Sequence, residues 1–198
     1  MKLSRRTVLA AAAFAAAAPA FAQPRSTASM PQRKATTNKT NFQLPEDECW
    51  RIISRPEQHP VLATVDEAGV PYAFPISTCV IGRRIYFHGA MENGRRYANV
   101  TMREDCSMVF VVDGDSLTPG LNINKRSVIV QGKCRLVTDN ARKLTIARAL
   151  LEQQNPAAAK AVIDEAMKTK GLTIQGALSW YEVTPVSVNG KIIIHKYL

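Results

Sequence analysis

Gly94-Arg95-Arg96 follows His88 by a few residues. His88 closes a run of β-formers, Ile85-Tyr86-Phe87, and the arginines fall where a helix can start. That combination suits an anion. A guanidinium offers a planar fork of donors that matches phosphate oxygens. A helix N-terminus adds unpaired N–H groups and the positive end of the helix dipole. A glycine ahead of them lets the backbone come close. The plain alternative is a solvated basic turn. His88 has three readings: a hydrogen-bond partner for a bound group, a haem-iron ligand, or a structural histidine at a strand end. His59, ahead of Pro60, and His195, between Ile194 and Lys196, are weaker candidates.

Other chemistry is thin. There is no H-E-x-x-H, Walker loop or Ser-His-Asp order, so hydrolase and nucleotide triphosphatase signatures are missing. The cysteines at 49, 79, 106 and 134 form no C-x-x-C, which argues against zinc and thioredoxin-like chemistry. Each lies in an apolar segment, so buried free thiols are expected, with one bridge left open. Nothing near Cys79 in sequence lowers its pKa, and it reads as structural. Trp180 and Tyr181 either edge a cleft or pack the core.

These residues need a frame. Acidic residues after Pro45 open a helix over 44–54, before Pro56, with Trp50, Ile53 and Cys49 towards the core. Strands over 59–66, 70–81 and 84–88, joined at Gly69 and Gly82-Arg83, make a meander. A short helix over 94–102 follows, then strands over 106–113 and 125–137 around a loop at 114–124. Asp139 caps a helix to Gln154, and Pro156 opens another to about residue 169. Strands over 177–188 and 191–197 form a closing hairpin about Asn189-Gly190. About seven short antiparallel strands fit a small barrel, and a sandwich nearly as well.

The formal charge of +10 invites a nucleic-acid reading, but its distribution argues against one. Residues 1–45 carry seven of the 26 basic residues and no acidic ones, whereas the remainder is close to balance. Ser4-Arg5-Arg6-Thr7-Val8-Leu9, an alanine-rich stretch and Ala20-Phe21-Ala22 read as a twin-arginine export signal over 1–22. That implies passage through the twin-arginine translocase to the periplasm or beyond, with no stable membrane span in the mature chain. Residues 23–44 read as a disordered basic linker, and 45–198 as one domain.

Four segments in order resemble a known family. They are Gly69-Val70-Pro71-Tyr72-Ala73-Phe74-Pro75-Ile76-Ser77; Ile85 to Ala90 with Gly94-Arg95-Arg96; Ser127-Val128-Ile129-Val130-Gln131-Gly132-Lys133; and Gly190-Lys191. The chain resembles the flavin-binding split-barrel proteins of the pyridoxamine-phosphate-oxidase-like superfamily, nearest the nitroimidazole-resistance branch. The resemblance implies a mainly β (α+β) fold: a six- or seven-stranded antiparallel split β-barrel with peripheral helices and a helical insertion before the last hairpin. It implies a homodimer with FMN (alternatively haem) in clefts at the interface, acting on a small-molecule substrate. It places the isoalloxazine ring along Pro75, Ile76, Ser77 and Thr78, the phosphate on Arg95 and Arg96, and a catalytic role on His88. The Ser77 and Thr78 hydroxyls could bond flavin polar atoms, or simply follow strand alternation. The sequence departs from the oxidase branch in having no basic residue in Ala73-Phe74-Pro75-Ile76. The implied function is an exported FMN-dependent oxidoreductase; the alternatives are a non-catalytic flavin- or haem-binding protein and a haem-degrading relative.

Overall fold

A computed structural model describes residues 41–90, 94–117 and 123–193. The segment read as an export signal, most of that read as a linker, and His195 lie outside them. Eight strands and four helices alternate in the order β1 (Asn41–Gln43), α1 (Glu46–Ile53), β2 (Val61–Val65), β3 (Pro71–Pro75), β4 (Cys79–Ile81), β5 (Arg84–Ala90), α2 (Arg95–Met102), β6 (Asp105–Leu117), β7 (Ile123–Val137), α3 (Asn140–Gln154), α4 (Lys160–Gly176) and β8 (Leu178–Ile193). All pairings are antiparallel, in the order β3-β2-β6-β7-β8-β5-β4, with β1 added on β8.

This is one continuous sheet, not a two-sheet sandwich. Its two end strands, β3 and β4, are neighbours in sequence, so residues 76–78 step directly from one edge to the other. The sheet curls on itself and leaves a split there. The predicted single strand over 70–81 is therefore two strands on opposite sides of the split. The Ile76 N–H donates to the Pro60 carbonyl at 3.0 Å, carrying the β2–β3 register one pair further before the chain crosses.

The largest correction concerns the chain end. No hairpin turns at Asn189-Gly190; β8 runs straight through, pairing Asn189 with Ile129 and Gly190 with Val128. The helical insertion therefore precedes one long strand, β8, that serves β1, β5 and β7. The glycine answers to packing. A Cβ on Gly190 would collide with Cys49 Sγ and come within 3.0 Å of the Leu44 Cβ, so its absence lets α1 lie on the sheet. Two smaller differences follow. β1 lies within the span read as linker and pairs with β8. The last helix begins at Lys160, after Pro156, and runs on to Gly176.

Two apolar layers hold the fold. Inside the sheet, Leu62, Phe87, Met108, Phe110, Val128, Val130 and Val183 meet Cys49, Ile52 and Ile53 of α1. Outside it, Tyr86 and Trp180 meet Ile146, Ala147 and Leu150 of α3 and Ile174 of α4. Side chains alternate across a strand. Tyr86 and Phe87, like Trp180 and Tyr181, are thus buried on opposite faces. The edge of β4 is covered as well. The Gln153 side chain accepts from the Val80 N–H at 2.9 Å and donates to the Val80 carbonyl at 2.8 Å.

Candidate functional site

The split is where the arginines gather. β4 pairs only with residues 84–86 of β5, so the far half of β5 has a free edge. β3 supplies the other bank. Helix α2 is held beside β2, where Asn99 Nδ2 donates to Thr64 Oγ1 at 3.0 Å and both residues are buried. Gly94, at φ +88°, turns the chain into the helix, and among the described residues no side chain caps its first turn. The peptide N–H groups of a helix's first turn lack intrahelical partners and suit an anion.

Arg96 bridges the split. Its guanidinium lies 4.3 Å from the Phe74 ring centroid on β3, and its Nη1 donates to the His88 carbonyl on β5 at 3.4 Å. Gly89 makes room for it: a Cβ there would stand 2.8 Å from Arg96 Nη1. Arg95 covers the neighbouring Tyr72 ring at 4.7 Å and pairs with Asp66 Oδ2 at 3.0 Å. Tyr72 and Phe74 are themselves in contact, with centroids 5.2 Å apart. Two cations therefore sit side by side on a two-ring platform at a helix N-terminus. Asp66 also accepts from the Val70 N–H at 2.8 Å; that bond first, and then Arg95, hold its carboxyl below the usual range.

The other candidates separate. The His88 backbone faces the split, but its ring lies on the opposite face of β5, 5.2 Å from Trp180. The ring edge reaches solvent while the flank against Trp180 is desolvated. That desolvation, and then the Arg96 charge, lower its pKa. Pro75 ends β3, and the Ile76 and Thr78 side chains are buried beneath the connection. Ser77 turns outward, with Oγ 3.3 Å from His59 Nδ1. Trp180 and Tyr181 are core residues: Trp180 Nε1 donates to the Ile174 carbonyl at 2.8 Å, and Tyr181 stacks on Phe87. All four cysteines are free thiols. No cluster of three metal-ligating side chains occurs among the described residues.

Sequence reasoning passed over Tyr72, Phe74, Asp66 and Gly89 as site residues. The Tyr72 and Phe74 pattern was visible, since alternate aromatics on one strand share a face. That this face meets α2 was not.

An open antiparallel sheet joined to itself through a three-residue step, with cations at the opening, defines a split-barrel protein. The chain belongs to the pyridoxamine 5'-phosphate oxidase family, whose sequence profile matches residues 45–192. Similar folds occur among solved structures. A candidate 5-nitroimidazole antibiotic resistance protein from Bacteroides thetaiotaomicron is 13% identical, with TM-score 0.60 over 77% of this chain and 87% of that one. An FAD-binding protein from Mesorhizobium loti is 15% identical, with TM-score 0.53 over 78% and 99%. The flavocytochrome Anf3 from Azotobacter vinelandii is 18% identical, with TM-score 0.58 over 81% and 72%. No curated protein matches the chain.

Proposed function

We propose that this chain is an exported FMN-binding oxidoreductase acting on a small molecule, with the flavin phosphate held at the split by Arg95 and Arg96. The observation that carries the reading is the side-by-side placement of those guanidiniums at the α2 N-terminus. The donor set suits a phosphate dianion. Among the described residues, Arg96 makes one long bond, to the His88 carbonyl, and Arg95 can exchange Asp66 for a phosphate oxygen. Two proteins of similar fold, an FAD-binding protein and a flavocytochrome, agree with a flavin ligand.

In this reading the flavin supplies the two-electron redox chemistry. The chain's own residues bind and orient. The 75–78 connection is the bank against which a ring would lie, with the outward Ser77 hydroxyl as a donor. His88 faces the Trp180 side, so its role at the split runs through its carbonyl, which fixes Arg96. A second copy of the chain completes the cleft. Val61, Val109 and Ile129 form an exposed row across β2, β6 and β7, matched in register, for that partner to cover. The leader argues for delivery by the twin-arginine translocase to the periplasm.

The test is titration of the purified protein with FMN, followed by absorption and fluorescence. Saturable binding with a flavin spectrum supports the proposal. A Soret band on isolation, or no interaction with FMN, overturns it. Light scattering before and after Ile129→Lys checks the dimer, and the N-terminal residue of protein recovered from the periplasm checks export.

A further inference from the structure

Beyond the pair Ala63 and Ser107 the β2–β6 ladder ends, and the strands part. They open onto a groove of about 440 Å³ lined by Thr64, Cys106, Ser107, Gln131 and Lys133. Cys106 is half-buried, whereas Cys134 has no exposed surface. The β6–β7 register pairs Cys106 with Gly132 and Asp105 with Lys133. Cys134 therefore lies one diagonal step from Cys106 on the same inward face. Its N–H donates to the Glu104 carbonyl at 2.7 Å, and Cys106 Sγ is 3.5 Å from the Gly132 carbonyl oxygen.

The two sulfurs differ electrostatically. The hydrogen-bonding interaction with the Cys134 side chain lowers the Cys106 pKa against the effects of burial and of the Asp105 charge. The same bond and then burial push Cys134 well up. A thiolate is the nucleophilic form of cysteine. Cys106 is thus the sulfur that an oxidant entering the groove can reach, and Cys134 is the enclosed sulfur beside it.

We propose that Cys106 and Cys134 form a two-electron dithiol site, with Cys106 as the attacking sulfur, Cys134 as the resolving sulfur and an organic hydroperoxide as the oxidant. The Cys106 thiolate attacks the terminal peroxide oxygen. The O–O bond breaks, the alkoxide leaves and takes up a proton, and Cys106 becomes a sulfenic acid. The Cys134 sulfur then attacks Cys106, the S–O bond breaks, and hydroxide leaves as water with the Cys134 proton. Two thiols have lost two electrons and two protons, and the peroxide has become an alcohol and water. Diagonal neighbours in an antiparallel pair stand roughly 7–8 Å apart at Cα. A disulfide needs about 4.4–6.8 Å. Closing the bridge draws in the first residues of β6. Glu104, opposite Cys134, lies just ahead of that strand, so the long ladder beyond it is spared. None of this depends on flavin binding.

The experiment uses the reduced full chain treated with stoichiometric cumene hydroperoxide, then alkylated under denaturing conditions and mapped by mass spectrometry. The expected result is a loss of two hydrogens, with Cys106 and Cys134 joined while Cys49 and Cys79 remain alkylatable. Cys134→Ala should instead leave a Cys106 sulfenic acid that a 1,3-dione traps. On the unmutated folded protein, iodoacetamide at neutral pH should label Cys106 at least about tenfold faster than Cys49. Four free thiols after peroxide, a bridge to Cys49 or Cys79, or equal labelling of Cys106 and Cys49 overturns the proposal.

Discussion

The Arg96 guanidinium rests on the face of the Phe74 ring at 4.3 Å, which fixes a cation between two strands that share no ladder. The ring orients the donor before any anion arrives. Arg96→Ala is expected to weaken FMN binding by at least about 1.5 kcal/mol, the usual size of a charge-assisted bond. Phe74→Leu should cost about 0.5–1 kcal/mol through the lost cation–π contact. Because the two side chains act together, the double variant should fall short of the sum. Affinities equal to wild type in the arginine variant would remove the phosphate role.

Asp66 competes with the anion for Arg95. Asp66→Asn keeps an acceptor for the Val70 N–H while removing the charge. FMN and inorganic phosphate should both bind tighter, by up to about fivefold, within the range of an exposed ion pair. Weaker phosphate binding in that variant, measured by calorimetry, would contradict the arrangement.

His88 titrates low because its Trp180-facing flank is dry and Arg96 is nearby. A folded-state pKa below the unfolded one means that the unfolded chain binds more protons between the two values. Stability from this group is then full above the usual imidazole range and declines as pH falls through that window. Arg96→Ala should raise the His88 pKa, as followed by ring-proton NMR. An unmoved titration curve would show that the Arg96 charge does not reach the ring.

Gly190 is fixed by α1. Gly190→Ala pushes a methyl group into Cys49 and Leu44 and should destabilise by about 1–3 kcal/mol, the usual cost of overpacking. Adding Cys49→Ala frees the room the sulfur held and should recover part of the loss. Denaturant midpoints decide, and an unchanged Gly190→Ala midpoint would place α1 elsewhere.

Local signals carried much of this fold. Gly69, Gly82-Arg83 and the proline before α1 marked element ends, and the β2–β3 and β4–β5 hairpins follow them, but the expected meander breaks between β3 and β4, which lie at opposite ends of the sheet. Asn189-Gly190 misled because a two-residue turn signal and a close-packing glycine look alike in one dimension. Only the helix above Gly190 distinguishes them. Strand 70–81 was overextended for a similar reason: nothing local in Pro75-Ile76-Ser77 states that the sheet's two edges meet there. At the site, the arginine pair was legible from charge and spacing. Its platform was not, since Phe74 and Arg96 are joined by the curl of the sheet. Asp66 read as the end of a strand; it instead opens the turn to β3 and also faces Arg95.

The Gln153 carboxamide has a consequence for solution behaviour. An uncovered ribbon edge is a template on which foreign chains can add. By mimicking one peptide unit of a missing neighbour, this single amide occupies the docking points that Val80 would otherwise offer. The helical insertion thereby closes off this edge to an added strand.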